Sequence, residues 1–580
     1  MEKRTELEIK KPELEWIEKD FPDETRVIEL SGKLNGLHPV LCSILIQRGI
    51  TNLEEAEHFF RPKLEDLEDP LKMKDMDRAV SRIIKSLDRN KRITVLGDYD
   101  VDGTTSAALM YLFLKNLGVE CAYYIPDRYE EGYGISLKSI DRAVESGSDL
   151  MICLDCGIKA IDKVAYANEK GLDIVICDHH TPGTKLPDAV AVLDPKRVDC
   201  PYPFKELSGC GVGFKLIQAL TLALGRNMEE AYRLLDLVAV SIAADIVPVI
   251  GENRCLSYFG IRKVNMDPLT GIQALKVATG LKSQFNNSDL VFKLAPRINA
   301  AGRMETGMKA VEILVAEDAV KARELATAVN AINLERGETD RRMTEEAIEM
   351  IGSDPDDAGR MSTVLHHSSW HKGVIGIVAS RMIEKFYRPT IIFCGDGEIL
   401  SGSARSVRHF DIYGALESCS DLLMQFGGHK FAAGMTMKRE NFVPFRKRFE
   451  GAVRNTIQPE SLVPAVIIDA DLNISEVTRD FYKVLKRFAP FGPGNMNPVF
   501  QSKHAVVVAI SKVGKTEDHL RLQLCGPDDP MNRISSIGFN LGHLADEISE
   551  GQMIQIVYTI EENSWNGKVS LQLNIKDIKT

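Results

Sequence analysis

The chain reads as a multi-domain α/β protein that ends in a strand-rich tail. Three observations carry that reading. Between about residues 91 and 250, short β-rich runs alternate with helical stretches, the pattern of a parallel sheet with helices on its faces. Mixed α/β patterning returns over 360–455, after a long helical stretch without proline. From about 465 to 580, β-rich runs follow one another, and five or six strands in that length suggest a small barrel or sandwich.

Composition limits the class. Of 580 residues, 44% are apolar and 27% charged, which suits a globular chain of about four domains. With 43 Gly and 24 Pro it is not collagen-like or low-complexity. The longest apolar stretches, such as Val238–Ala244, fall far short of the ~20 residues of a membrane span. The N-terminus, MEKRTELEIKKPELEW, is charged and lacks the apolar stretch of a secretory signal. Eleven Cys are scattered, and Cys153 and Cys177 lie inside apolar runs, as expected of reduced thiols in a cytoplasm. Net charge is −11. This argues against a chain coated in nucleic acid but permits one basic groove, and part of the acid can be metal ligands.

Residues 1–85 read as mainly helical, with Asn52-Leu53-Glu54-Glu55 resembling a capping box. Ile93–Leu96, Ala122–Ile125, Leu150–Leu154, Ile174–Cys177 and Ala189–Leu193 read as strands. Ser106–Leu117, Ser136–Ser146 and Ala160–Lys170 read as the helices between them. Met308–Ile351 has no Pro and only Gly337 in its interior, with apolar residues at helical spacing from Val311 to Ile332. It reads as one long helix, or two in line, acting as a rigid connector of about 60 Å. The alternative is a hairpin broken near Gly337. Ser362–Leu365, Gly373–Phe386 and Thr390–Cys394 read as strand, helix and strand, and Pro459 and Pro464 bound a linker. Asn566-Gly567 in the tail is a hairpin signal. The expected divisions are a helical extension over 1–60, a catalytic parallel-sheet domain over 61–260 and a helical region with the connector over 261–352. A second α/β domain over 353–458 and a strand-rich, barrel-like domain over 459–580 follow.

The chemistry gathers at the ends of the apolar runs. The first ends Gly97-Asp98-Tyr99-Asp100-Val101-Asp102-Gly103, another Leu154-Asp155-Cys156-Gly157, a third Cys177-Asp178-His179-His180. A later run ends Ala244-Asp245-Ile246 and reads as a fourth strand end. In open α/β sheets the ligand sits beyond the carboxyl ends of the strands, so these groups converge on one crevice. Asp98 and Asp100 share a face of an extended segment, and Gly103 permits a turn into a helix beginning near Thr105. His179 and His180 face opposite ways on a strand, so at most one binds the same ion. Asp178 orients one of them or caps a helix. Cys153 and Cys156 have CxxC spacing without a second pair, and read as small strand residues. Clustered carboxylates with one or two His and no thiolate suit Mn²⁺ or Mg²⁺ rather than structural zinc. Enough ligands are present for two ions, the arrangement that hydrolyses phosphoesters or phosphoanhydrides.

These four motifs, in this order, resemble those of the DHH phosphoesterase superfamily. Gly427-Gly428-His429 with Ala432-Ala433-Gly434 is similar to the glycine-rich motif of the associated DHHA1 domain. Arg297-Ile298-Asn299-Ala300-Ala301-Gly302-Arg303, Trp370-His371-Lys372-Gly373-Val374-Ile375-Gly376 and Pro490-Phe491-Gly492-Pro493-Gly494-Asn495 narrow the resemblance to its single-strand-specific exonuclease branch, over about residues 60–575. The resemblance implies a DHH parallel-sheet domain and a smaller DHHA1 α/β domain joined by a long helix, plus a C-terminal β-barrel of the OB type. It implies a 5′→3′ exonuclease of DNA repair and recombination that releases 5′-mononucleotides from single-stranded DNA with two ions, Mn²⁺ or Mg²⁺. Asp98, Asp100, Asp155, His179 and Asp245 are then metal ligands, with Asp102, Asp178 and His180 assigned to the catalytic apparatus beside them. The partner is single-stranded DNA with a 5′ end. A single-strand-binding protein and a helicase are candidate protein partners, the chain is expected to be monomeric and cytoplasmic, and no membrane is involved.

An exonuclease must also hold an end. Ser401-Gly402-Ser403-Ala404-Arg405-Ser406 combines hydroxyls, a guanidinium and glycine backbone, and Ser403 and Arg405 share a face if it is extended. By resemblance Ser403, Arg405 and Arg128 form a terminal-phosphate pocket, while Arg297, Asn299, Arg303 and His429 contact substrate nearer the scissile bond. In the tail, Phe500, Phe539, Tyr558 and Trp565, with Lys503, Lys512 and Lys515 nearby, are available to stack bases, though core packing is the expectation for most of the aromatics. Lys438-Arg439 and Arg446-Lys447-Arg448 are either a DNA rim or a solvated helix face. Two other readings of the chain remain: the same chemistry on a small phosphoester or polyphosphate, and a non-catalytic scaffold. The long helix and tail weigh against the first, the full ligand set against the second.

Overall fold

Five short apolar runs become five parallel strands: β1 (Arg92–Gly97), β2 (Cys121–Tyr124), β3 (Ser148–Leu154), β4 (Asp173–Cys177) and β5 (Ala191–Leu193). Their order in the sheet is β2-β1-β3-β4-β5. Chain direction across the sheet therefore reverses between β1 and β3, the position where open α/β sheets place their ligand. The computed structural model describes residues 13–128, 130–304, 306–565 and 568–580. The chain divides into two compact units, one made of Pro22–Asn333 with Arg479–Asn497, the other of Leu334–Thr478 and Pro498–Thr580 with the N-terminal stretch ending at Phe21.

In the first unit, helix α1 (Val101–Asn116) follows β1 directly. It starts four residues earlier than the expected Thr105, because Asp100 caps it by accepting from the Gly103 N–H at 3.0 Å. Gly103 is thus not a turn but part of the first helical turn. It is glycine because a Cβ there would lie 2.4 Å from the Asp98 backbone N and O. Helices α2 (Gly209–Ala223) and α3 (Leu235–Ala244) pack beside α1, and α4 (Gly251–Met266) packs on α3. The run ending at Asp245 is α3, not a strand. Leu235-Asp236-Leu237-Val238-Ala239-Val240-Ser241-Ile242-Ala243 is buried throughout, and ten apolar-rich residues without Gly or Pro suit a core helix. Each of its buried Leu, Val and Ile side chains contributes about 1.5–3 kcal/mol. Helix α5 (Ala295–Met304) presses its small residues on the β1–α1 junction, where a Cβ on Gly302 would lie 2.6 Å from the Tyr99 carbonyl oxygen.

The connector is the expected long helix rather than a hairpin at Gly337, but it begins later than expected. A short helix, Gly307–Leu314, ends before α6 (Ala319–Gly352) begins, so the break falls at 315–318 and Gly337 lies inside an unbroken helix. Its 34 residues span about 51 Å. In the second unit, Asp340 of α6 is buried and takes a two-pronged ion pair from Arg381 at 2.7–3.0 Å.

The mixed sheet of that unit comprises β6 (Thr363–His367), β7 (Thr390–Cys394), β8 (Ile399–Arg405), β9 (Gln425–His429) and β10 (Ala432–Lys438), in the order β9-β10-β8-β7-β6. Helix α7 (Ile375–Phe386) packs on it. The tail barrel comprises β11 (Phe500–Val513), β12 (His519–Gly526), β13 (Asp529–Gly538), β14 (Met553–Trp565) and β15 (Lys568–Lys579), closed by pairing of β11 with β14. The Asn566-Gly567 hairpin residues and the Trp565 side chain lie outside the described residues. Phe500 and Tyr558 are core residues, whereas Phe539 is half exposed, edge-on to His519. Lys503 and Lys512 are paired with Asp471 and Asp546, each at 2.7 Å. Of the basic cluster, Arg446 pairs with Asp354 at 2.7 Å, Arg448 with Asp421 and Lys438 with Glu440.

Two further expectations change. The N-terminal region, mainly helical as expected, also holds a strand: Glu15–Glu18 pairs in parallel with Ala465–Ile468, its two middle residues half-buried and its ends exposed. The tail is not continuous either, because Arg479–Asn497 packs with the first unit rather than with the barrel. Among the described residues no helix is long and apolar enough to cross a membrane.

Candidate metal centre and anion cradle

Asp98 follows β1, Asp155 follows β3 and His179 follows β4, so three strand ends deliver side chains to the point of reversal. Asp245 arrives from the C-terminus of α3, whose last turn it caps by donating its N–H to the Ser241 carbonyl at 2.9 Å. His179 Nε2 lies 3.2 Å from Asp155 Oδ1, 3.6 Å from Asp245 Oδ2 and 3.7 Å from Asp102 Oδ2. Two overlapping sets result, Asp155–His179–His180 and Asp102–His179–Asp245, each with donor atoms within 4.8 Å of one another. Asp155 Oδ1 and both ring nitrogens of His179 are buried yet make no hydrogen bond among the described residues. Buried polar atoms of this kind are costly unless a ligand satisfies them. Carboxylate and imidazole without thiolate fit Mn²⁺ or Mg²⁺.

The electrostatics agree. Burial, and behind it the charge of Asp100, pushes Asp98 far above the usual carboxylate range. Burial and the charge of Asp102 push up Asp100 and, much further, Asp155. Asp245 is pushed up to about 8, again by burial and then by Asp102 and Asp100. Burial pushes His179 below its ordinary value. A cation would relieve all five at once.

The backbone is strained at two of these points. Asp155 has φ +59° and Ile246, next to Asp245, also +59°. Left-handed backbone is uncommon outside glycine, and for a β-branched residue it is an outlier that its surroundings must enforce. Gly209 lets α2 approach Asp155, since a Cβ there would lie 2.7 Å from Asp155 Oδ1.

Asp102 and Asp178 are also tied to the surrounding backbone and side chains. Asp102 accepts from the Gly209 N–H at 2.7 Å, the Cys210 N–H at 2.8 Å and the Ser241 hydroxyl at 2.7 Å, so one carboxylate ties α1 to the start of α2 and the middle of α3. Asp178 accepts from the Ile158 N–H at 2.9 Å, the His179 N–H at 2.8 Å and His180 Nδ1 at 2.8 Å. Burial alone would raise it, but His180 and these N–H groups hold it below the usual carboxylate value. In return Asp178 outweighs burial and raises His180. These bonds give Asp102 and Asp178 a positioning role beside the catalytic one expected of them. Nor do the two histidines face opposite ways. Strand pairing ends at Cys177, the Asp178 carboxylate folds the chain back, and the two rings sit 4.6 Å apart.

Two neighbours escaped the sequence reading. Tyr133 donates its hydroxyl to the Asp155 carbonyl at 2.9 Å and stands edge-on to His180. It lies on a loop and gives no sequence signal. Asp194 follows β5, is buried, has an unpartnered Oδ2 and is pushed up to about 7, mainly by burial. Its place after an apolar run is the same signal that marked Asp155.

Of the expected substrate contacts in this unit, Arg128 lies over the Tyr99 ring at 4.7 Å, and its charge partly offsets the rise of Asp98. Arg297 and half-buried Asn299 share α5, with Arg297 Nε donating to Asn330 Oδ1 at 3.0 Å. Arg303 is on the same helix, but its side chain lies outside the described residues.

The second unit carries a separate donor surface. Register aligns Arg405, Ala432 and His429 in one row, and Ser403, Gly434 and Gly427 in the next, all on one face. Arg405 Nη1 donates to Ser403 Oγ at 3.1 Å. The start of α7 meets that face, because a Cβ on Gly376 would lie 2.9 Å from Arg405 Nη2 and 3.0 Å from Ser403 Oγ. A Cβ on Gly427 or Gly434 would meet nothing within 4 Å. A glycine-floored row with a guanidinium, a hydroxyl, an exposed imidazole and a helix N-terminus is suited to a phosphate.

Three family models match the chain in the order of its domains. Residues 92–242 match the DHH family, N-terminal domain; 360–455 match the DHHA1 domain; 468–577 match the RecJ OB domain. The chain is 38% identical over 559 residues to the single-stranded-DNA-specific exonuclease RecJ of Bacillus subtilis, covering 96% of this chain and 70% of that one. The crystal structure of RecJ from Thermus thermophilus in complex with Mn²⁺ superposes with a TM-score of 0.82 at 27% identity, covering 98% of this chain and 80% of that one. The Mg²⁺ complex of the same protein gives 0.77 at 26% identity, covering 98% and 78%.

Proposed function

Since the chain belongs to the RecJ family of single-stranded-DNA-specific exonucleases, we propose that it hydrolyses single-stranded DNA from the 5′ end to 5′-mononucleotides, in DNA repair and recombination. The cofactor is a pair of divalent ions, Mn²⁺ or Mg²⁺. The observation that carries this is the pair of overlapping clusters Asp155–His179–His180 and Asp102–His179–Asp245 at the sheet's point of reversal, in which Asp155 Oδ1 and both His179 ring nitrogens are buried and make no hydrogen bond among the described residues. Asp98, Asp100, Asp155, His179 and Asp245 would hold the ions. Bound there, divalent ions supply Lewis acidity at phosphorus and lower the pKa of the attacking water.

The chain's own groups do the rest. Asp178 fixes the orientation of the His180 ring through Nδ1. Asp102 locks the three helices against which the ligand loops rest. Arg128 belongs to the unit of the metal centre and His429 to the row of Arg405, so the expected grouping is revised: Ser403, Arg405 and His429 bind the 5′-terminal phosphate or its neighbour, while Arg128, Arg297, Asn299 and Arg303 take the strand near the ions. The barrel, through half-exposed Phe539 and through Lys515, guides the single strand. The protein acts in the cytoplasm as a monomer, with a single-strand-binding protein and a helicase as partners; its eleven free thiols accord with a reducing compartment.

Digestion of 5′- and 3′-labelled single- and double-stranded oligonucleotides, with and without EDTA, tests the whole reading. Mononucleotide release from the 5′ end of single strands alone, abolished by EDTA, is the expected result. Release from the 3′ end, or turnover of pyrophosphate instead of DNA, would refute it.

A further inference from the structure

The stretch Arg479–Asn497 leaves the barrel unit after Thr478 and returns to it at Pro498, and in between it packs into the unit of the metal centre. Its core is Pro490-Phe491-Gly492-Pro493-Gly494-Asn495, a motif with no part in the chemistry above. The hook is internally tied. Gly492 and Asn495 exchange two backbone hydrogen bonds at 2.8–3.0 Å, and buried Asn495 donates Nδ2 to the Phe488 and Pro490 carbonyls at 2.9 and 2.8 Å. It is also tied down. Buried Arg254 donates to the Phe488 carbonyl at 2.9 Å and the Phe59 carbonyl at 3.0 Å, and Asn287 Nδ2 donates to the Phe491 carbonyl at 2.8 Å.

What the hook presses on is the loop that follows Asp245. The Pro493 carbonyl accepts from the Val249 N–H at 2.7 Å. A Cβ on Gly492 would lie 2.4 Å from Val249 Cγ2, and one on Gly494 2.9 Å from Ile250 Cγ2. Between Asp245 and these contacts stands Ile246, left-handed at φ +59° and 64% exposed, so its own side chain does not hold it there. A β-branched residue keeps that conformation only when both flanks are fixed. The α3 helix fixes one flank, and the hook fixes the other.

We propose that Pro490–Asn495 is a positioning element for the metal centre: it clamps residues 248–250 and thereby holds Asp245 in ligand geometry beside His179. The inference rests on reading Asp245 as a metal ligand.

Three full-length variants test it. Gly492→Ala adds a methyl against Val249; Gly492→Ala with Val249→Ala removes the group that methyl strikes; Asn287→Ala releases Phe491 without adding bulk. Mn²⁺ binding, with the metal alone, is followed by electron paramagnetic resonance. Melting temperature, and kcat and KM on a 5′-phosphorylated oligonucleotide, are measured in parallel. The clamp predicts that Gly492→Ala and Asn287→Ala weaken Mn²⁺ binding and lower kcat by about tenfold. KM stays within about twofold, and the double variant recovers most of both losses. A lowered melting temperature with unchanged Mn²⁺ affinity and kcat would show that the hook only packs, and would overturn the proposal while leaving the metal centre standing. A wild-type chain that binds no Mn²⁺ would overturn the metal reading and this proposal together.

Discussion

The acid crevice of the first unit and the donor row of the second solve opposite electrostatic problems. In the crevice, charge is stored by burial: carboxylates crowd together, their pKa values rise, and left-handed backbone at Asp155 and Ile246 holds the arrangement. Two like charges about 4 Å apart repel by roughly 4 kcal/mol at a near-surface effective dielectric. Such a site is stable only when protonated or filled. The donor row instead stays open, with glycine floors at 427 and 434 and a guanidinium held flat by Ser403. It costs little when empty because its polar groups face water. The difference teaches that side chains which hold a cation must be buried to be selective, whereas those that catch a phosphate must be reachable.

The sharpest way to break this contrast is to neutralise one member of each site. Asp155→Asn removes a ligand from the crevice, and kcat should fall by more than about a hundredfold, since even outer groups around a metal cost ten- to hundredfold. Mn²⁺ binding should be lost while oligonucleotide affinity in a filter or anisotropy assay is retained. Arg405→Ala should do the reverse. The loss of a charge-assisted hydrogen bond, about 2 kcal/mol, raises KM for 5′-phosphorylated DNA by about thirtyfold. A 5′-hydroxyl substrate should barely respond. If both variants lowered kcat with KM unmoved, the two sites would not differ in role.

Gly434→Val sharpens the comparison. The added side chain meets nothing in the fold, and Val suits a strand, so the melting temperature should change by no more than about 2 °C. It nevertheless occupies the open row, and KM should rise by about tenfold. A wild-type KM would mean that no phosphate sits there.

The smallest expected effect is on stability against pH without metal. Asp245 has a folded value of about 8 against 3.8 for the unfolded chain. Between those values the folded chain binds more protons than the unfolded one, so stability is present at low pH and lost as pH rises toward 8. In EDTA the melting temperature should be higher at pH 6 than at pH 8 by about 2 °C or more. Saturating Mn²⁺ should close that gap, because the ion replaces the proton. An unchanged gap would mean that Asp245 meets no ion.

Much of this was legible in the sequence because strands and their ends leave local marks. The apolar runs ending at Gly97, Leu154 and Cys177 are strands, and the acids after them do converge. Ala244-Asp245 misled because a buried helix and a buried strand are both continuous apolar runs, and no periodicity separates them. The positioning roles of Asp102 and Asp178 were hidden because they depend on donors such as the Gly209 and Ile158 N–H groups, supplied from distant or non-adjacent segments. The Pro490–Asn495 contacts were hidden for the same reason, since Val249 lies some 240 positions earlier.

The pairing of Glu15 with Ala465 has a bearing on how the protein is made. A ribosome adding roughly 5–20 residues per second needs about 20–90 s between those two residues. During that interval the first strand has no neighbour, and the Asp245 loop still lacks the hook that will brace it. Neither unit can reach its final packing until nearly the whole polypeptide has emerged. Nascent chains stalled near residue 450 should therefore be strongly chaperone-bound and protease-sensitive; those that expose residue 497 should gain resistance in the unit of the metal centre, and only released full-length chains in both.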